Sequence, residues 1–217
     1  MATNDLQIDS SGTASYEYGR AWSASIISQL QPFNEIRFDS AIALLSRRHK
    51  RPLSKYEAVK LHVLMDIYHT LETGNPIIGG NLEPWAGGPV VPEAYSRIDN
   101  WCDRYDYTGD MPERFKIEST GKLRYLTPVF DADSEDFSGS ELSAMDIAWN
   151  ILIPMMSKGY QGYVESQIFF HSDDTFIGRA YNKAKAESRA IDWNDILDAF
   201  DAINGTDHSH IKALIRF

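Results

Sequence analysis

Between Leu53 and Trp101 the chain reads LSKYEAVKLHVLMDIYHTLETGNPIIGGNLEPWAGGPVVPEAYSRIDNW, and this stretch leaves few choices of fold. Ser54 followed three residues later by Glu57 has the form of a capping box, in which hydroxyl and carboxylate satisfy backbone donors at a helix start. Val59, Val63 and Ile67, joined by Leu64 and Leu71, recur at three- and four-residue steps and predict a helix with one apolar stripe. Gly74-Asn75-Pro76 stops it. Two glycine pairs, Gly79-Gly80 and Gly87-Gly88, then frame Trp85. Ile77, Trp85, Val90 and Val91 each favour burial, so the run between the helices is an ordered loop and not a flexible linker. Pro92 and Glu93 suit the first turn of a second helix, which continues to about Cys102.

The remaining chain is arranged around this unit. Residues 1–20 are polar and lack a sustained period, which predicts a flexible N-terminal segment ahead of one domain over residues 21–217. Tyr16, Tyr18 and Trp22 make that segment a candidate arm, packed on its own domain or on a partner. A short helix is expected over Phe38–Arg48, ending in the basic turn Arg47-Arg48-His49-Lys50-Arg51. Phe115 to Phe130 alternates about Ser119-Thr120-Gly121 as a small hairpin, with Leu123, Tyr125, Thr127 and Val129 on one face. A long helix opens at Ser138 with Glu141 and is kinked or ended near Pro154. Gly159 and Gly162 read as the close of that region. Further helices start near Phe176 and at Asp192-Trp193. The expectation is a mainly α, single compact domain of about five to seven helices with a small β hairpin.

Charge bears on partners. The 31 acidic residues against 21 basic ones give a formal net charge of -10, which opposes broad binding to nucleic acid phosphates. A single cysteine, Cys102, excludes an intrachain disulfide and fits a reducing, cytoplasmic setting. No stretch has the length and apolarity of a signal peptide or membrane span, so membrane partners are not expected.

The familiar catalytic signatures are missing: there is no phosphate loop, no Gly-x-Ser-x-Gly, no HExxH and no paired CxxC. Asp131-Ala132-Asp133-Ser134-Glu135-Asp136 opens like a calcium loop, but the sixth and twelfth positions hold Asp136 and Leu142 where Gly and Glu are required. His62 and His69 lie about 10 Å apart along a helix, too far to share a metal ion. With Asp66 between them they read as a polar surface stripe. Asp66, His69 and His171 remain the residues an enzyme reading would use. No cofactor, metal site or catalytic residue is expected.

The helix ending Gly74 to Ile77, the following tryptophan, Gly88-Pro89-Val90-Val91-Pro92 with Tyr95, the Lys60-Leu61 pair and Asp66 together resemble the Panacea-domain family of antitoxins, including the SocA-like proteins. Ser140-Glu141-Leu142 with Asp146, and His171 a few residues before Phe176, extend the likeness along the chain. The chain differs from the family pattern at Gly87 and Val63, where aromatics are usual. The resemblance implies a prokaryotic or phage-encoded, cytoplasmic antitoxin that neutralises a cognate toxin protein by direct binding. It also admits an adaptor that delivers the toxin to an ATP-dependent protease. On that reading the toxin-facing surface draws on Trp85, Pro89, Val90 and Tyr95, on the polar helix face Lys55, Lys60, Asp66 and His69, and on the arm with Tyr16 and Tyr18.

Overall fold

The computed structural model describes residues 7–8, 14–15, 31–102, 114–120 and 123–215, with the backbone alone at 7–8, 14–15, 100–102 and 213–215. In chain order the described elements are β1 (Gln7–Ile8), β2 (Ala14–Ser15), α1 (Glu35–Arg48), β3 (Leu53–Ser54), α2 (Lys55–Thr73), β4 (Glu83–Trp85) and β5 (Gly88–Val90). They continue with α3 (Pro92–Cys102), β6 (Phe115–Thr120), β7 (Leu123–Pro128), α4 (Gly139–Met156), α5 (Tyr160–His171), α6 (Phe176–Ala186), α7 (Trp193–Asn204) and α8 (Ser209–Ile215). The protein is mainly α, with small antiparallel sheets. The described residues hold eight α-helices, one more than the upper sequence expectation, because α5 and α8 form where the sequence shows no clear helix.

Helix α2 is the axis. Ser54 Oγ accepts from the Glu57 amide and the Glu57 carboxylate accepts from the Ser54 amide, completing the capping box. At the other end Gly74 takes a left-handed conformation at φ 82° and its amide bonds Thr70. The sequence predicts one apolar stripe, but α2 is buried on nearly every side: Ala58, Leu61, Leu64, Met65 and Ile67 are wholly enclosed, and so are polar positions between them. Helix α4 makes its most extensive contact, and α1, α3, β5 and β7 close other sides. Helix α4 starts with its own capping box, Ser138 with Glu141, and carries Met145, Ala148, Trp149 and Leu152 into the shared core. Pro154 falls in its last turn, and the helix stops at Met156.

The stretch expected as an ordered loop is a hairpin. Strands β4 and β5 pair antiparallel with Glu83 opposite Val90, Pro84 opposite Pro89 and Trp85 opposite Gly88, leaving Ala86-Gly87 at the tip. The facing prolines occupy the non-bonded pair between Glu83–Val90 and Trp85–Gly88, so the ribbon's own ladder is short, and outside anchors add to it. The second hairpin, β6–β7, forms as expected, and β3 adds a third strand through Leu53 opposite Leu126. Its phase differs from the expected face: Leu126 is the residue of β7 that is enclosed, while Leu123 and Val129 are exposed. The core above this sheet is reached from the opposite face of β7.

Residues 1–20 include a two-residue antiparallel pair, Gln7–Ile8 with Ala14–Ser15, where the sequence predicts an unstructured tail. So short a pairing needs no sustained alternation, hence none was visible. Tyr16, Tyr18 and Trp22 lie outside the described residues. The basic turn is as expected: Arg47 pairs with Asp131, Arg48 with Asp146 and Arg51 with Glu57, while His49 stacks on Trp149 at 3.7 Å. The acidic run 131–136 forms one turn of 3-10 helix capped by Asp133.

Candidate functional site

The first turn and a half of α2 places Lys55, Tyr56, Val59 and Lys60 on one side, facing the β4–β5 hairpin. Between them and α3 and β7 lies an open, mostly apolar cleft of about 650 Å³. Its rim is aromatic. Trp85 is 39% exposed at the hairpin, its ring edge-on to Tyr95 with centroids 5.2 Å apart. The Lys55 ammonium sits 3.3 Å from the centre of the Tyr95 ring and pairs with Asp99, which Arg124 also approaches at 3.7 Å. Leu123, exposed at the start of β7, completes that side.

Lys60 forms the floor. It is 3% exposed, and its ammonium donates to the Pro89 carbonyl at 2.7 Å. The faces of Phe170 and Tyr56 lie 4.7 and 5.6 Å from it. Burial lowers its pKa from the usual lysine range to about 7. Room for the ammonium comes from Gly88, whose φ is +92° and where an added Cβ would lie 3.0 Å from Lys60 Nζ and 2.9 Å from Phe170 Cβ.

The cleft is continuous with α5. Tyr56 packs edge-on to Tyr163 at 5.1 Å, and its hydroxyl meets Ser166 Oγ at 2.9 Å and the Gln167 amide at 2.8 Å. Gln167 also donates to the Gly87 carbonyl at the hairpin tip, at 3.3 Å. Beyond Tyr163, one face of α5 carries Tyr160, Val164 and Ile168 at four-residue steps, and Tyr160 is 83% and Ile168 61% exposed. These residues escape the sequence reading because Gly159 and Gly162 look like a break. Gly162 instead permits close approach: an added Cβ would lie 1.7 Å from the Met155 carbonyl oxygen, so α5 starts tucked against the end of α4. The step of four from Tyr160 to Ile168 was the available signal.

The polar face of α2 requires correction. Lys60, Asp66 and His69, expected as an exposed partner-facing stripe with Lys55, are buried, and so is His62. Asp66 and His69 are held by the loop that follows the helix, Lys60 by β5, and His62 by Asp66. Asp66 Oδ1 accepts from the amides of Ile77 and Ile78, both at 2.9 Å. Its Oδ2 accepts from the Gly79 amide at 2.8 Å and from His62 Nε2 at 3.1 Å. The carbonyls of the same loop are satisfied from the other side, Ile77 by the Arg37 guanidinium at 3.1 Å and Ile78 by the Asn34 amide at 3.0 Å. His69 Nδ1 donates to the Asn75 carbonyl at 2.6 Å, and its Nε2 lies 3.2 Å from Ser140 Oγ on α4. For Lys60, Asp66 and His69 these are anchoring roles, because a buried backbone group left without a partner is costly and each of the three removes such a cost. Pro89 and Val90 are buried within β5 and support the hairpin from beneath. Of the expected surface, Lys55, Lys60, Trp85, Val90 and Tyr95 line the cleft, with Trp85, Tyr95 and Lys55 at its rim.

His171 Nδ1 lies 2.7 Å from the Gln167 carbonyl, and its ring packs on Tyr181. It therefore has a partner set separate from that of Asp66, and the structure does not assemble the two as an acid-base pair. Among the described residues no three His, Cys, Asp or Glu side chains converge as metal ligands, and no helix is long and apolar enough to cross a membrane.

No family model, curated protein or solved structure matches the chain.

Proposed function

We propose that this chain is a cytoplasmic antitoxin of the Panacea-like kind, which neutralises a cognate toxin protein by binding it and performs no catalysis. The observation that carries this reading is the aromatic and apolar surface running from Trp85 and Tyr95 at the cleft rim, through Tyr56 and Tyr163, to Tyr160, Val164 and Ile168 on α5. Exposed apolar surface of this kind costs solubility unless a partner covers it, and aromatic side chains are enriched at the centres of protein interfaces. The Gly88 to Pro92 motif and the Lys60-Leu61 pair add the resemblance set out above. Pro89, Val90, Lys60, Asp66 and His69 then serve the interface by holding the hairpin, with Trp85, Tyr95, Lys55 and the α5 residues in contact with the toxin.

The test begins with the reading frame adjacent to this one. Its product should arrest growth when expressed alone and be tolerated when this chain is co-expressed. Trp85→Ala should weaken toxin binding by at least about thirtyfold, the size of an interface hot spot. Its thermal midpoint should stay within about 5 °C of the parent, because the ring is partly exposed. Ile168→Ser should act in the same direction with less effect on folding. Neutralisation that survives both substitutions would remove this surface from the interface.

A further inference from the structure

The α5 face and the cleft rim explain how an apolar partner surface would be met, but they leave the floor of the cleft unused. Lys60 carries three N–H donors and, among the described residues, spends one on the Pro89 carbonyl. The aromatic faces of Phe170 and Tyr56 attract a cation without neutralising it. Among the described residues, the one acidic residue lining the cleft, Asp99, already pairs with Lys55 and Arg124. Among the described residues, three cations and one carboxylate therefore border an apolar cavity in a protein whose overall charge is -10. A role in holding β5 alone does not call for an ammonium, since one neutral donor would serve the Pro89 carbonyl at a smaller desolvation cost.

We propose that the cleft above Lys60 is a carboxylate-binding site, filled in the toxin complex by one acidic side chain of the partner, whose apolar stem packs against Tyr95 and Trp85. The partner's part in this rests on the antitoxin reading. A carboxylate suits the site better than a phosphate, because the floor offers a single ammonium among apolar walls and, among the described residues, no cluster of guanidinium or backbone donors. Long-range repulsion by the net negative chain selects a partner that is basic overall, so that the acidic residue acts as a local anchor within a basic surface. A carboxylate at the floor would favour the charged form of Lys60. Binding therefore takes up a proton above about pH 7, and the affinity should fall about tenfold for each pH unit beyond that.

The site can be tested without any partner. The purified full chain, labelled with carbon-13 lysine, is titrated with phenylacetate and with the uncharged phenylacetamide, and the Lys60 Cε resonance is identified from Lys60→Met. Phenylacetate should move that resonance, bind at least about tenfold more tightly than the amide, and weaken at higher pH with the stated slope. The comparison of acid with amide uses the unaltered protein, so it stands even where Lys60→Met fails to fold. Equal binding of the two compounds, no binding of either, or binding of the acid that leaves Lys60 unmoved would each overturn the site. With the toxin in hand, neutralising its acidic residues one at a time to the amides should reveal one whose change costs about as much affinity as Lys60→Met. Undiminished toxin binding by a folded Lys60→Met protein would overturn the partner's acidic anchor. Because phenylacetate needs no toxin, a failed neutralisation assay overturns the antitoxin reading separately from the site.

Discussion

Replacing Asp66 by Asn keeps the volume of the side chain and removes one acceptor, which isolates what its second oxygen does. In the protein, Oδ1 takes the amides of Ile77 and Ile78, and Oδ2 takes Gly79 and His62. Whichever way the Asn is turned, one position becomes an NH₂ group that faces donors. With the oxygen kept toward Ile77 and Ile78, the Gly79 amide loses its acceptor, while His62 keeps a bond by switching tautomer and accepting at Nε2. Hydrogen bonds to a charged group contribute about 1.5–3 kcal/mol each and those to a neutral one about 0.5–1.5, so losing the Gly79 bond and weakening the others gives about 3–4 kcal/mol after some local relaxation. That is a large share of a stability that for an ordinary domain is about 5–15 kcal/mol. Urea unfolding followed by far-ultraviolet circular dichroism should show it, together with a thermal midpoint lowered by about 10 °C. Native-state hydrogen exchange localises the effect: the Gly79 amide should exchange about a hundredfold faster, more than amides in the middle of α4. A loss below about 1 kcal/mol with Gly79 still protected would refute the assignment of Asp66 as the anchor of this loop.

Two further substitutions probe the cleft. Since Lys60 titrates near 7 when folded and near 10.5 when unfolded, the unfolded chain binds the extra proton between those values and stability rises with pH across that window. Wild type should therefore gain about 2 kcal/mol relative to Lys60→Met between about pH 7 and 9, measured by urea unfolding at each pH, and a constant difference would refute the low titration point. Gly88→Ala combines a positive φ with close contacts to Phe170 and Lys60, so it should destabilise by about 2 kcal/mol or more, whereas Gly87→Ala, with open space around the added methyl, should be nearly silent.

What the sequence made legible was local. The ends of α2 could be read because Ser54, Glu57 and Gly74 act within four residues of the backbone groups they satisfy. The same holds for Ser138 with Glu141 and for Asp192 at the start of α7. The burial of Lys60, Asp66 and His69 was not legible, because their partners lie outside the helix: Asp66 bonds residues 11 to 13 positions on, and Lys60 a carbonyl 29 positions on. A polar residue on a helix reads as exposed unless its acceptor is known, and the sequence does not name acceptors across a fold. Helix α5 was hidden for a related reason, since Gly162 serves contact with α4 and not a turn.

The buried polar groups of α2 share one consequence, which is that the short β4–β5 hairpin is fixed by more than its own ladder. Asp66 holds its approach at residues 77–79, and Lys60 holds its return strand at Pro89. Tyr181 holds its outer strand by donating to the Trp85 carbonyl at 3.0 Å, and Gln167 reaches its tip at Gly87. A tryptophan carried by a free ribbon would lose conformational freedom on binding, which lowers affinity, while one on a ribbon anchored at four points has little left to lose. Trp85 is thus exposed as a side chain and immobilised as backbone, a combination suited to a rigid interface anchor. By the same logic the anchors and Trp85 act as a unit: once Asp66 or Tyr181 has been removed, substituting Trp85 should cost less binding than it does in the intact protein, because the contact it makes has already been loosened.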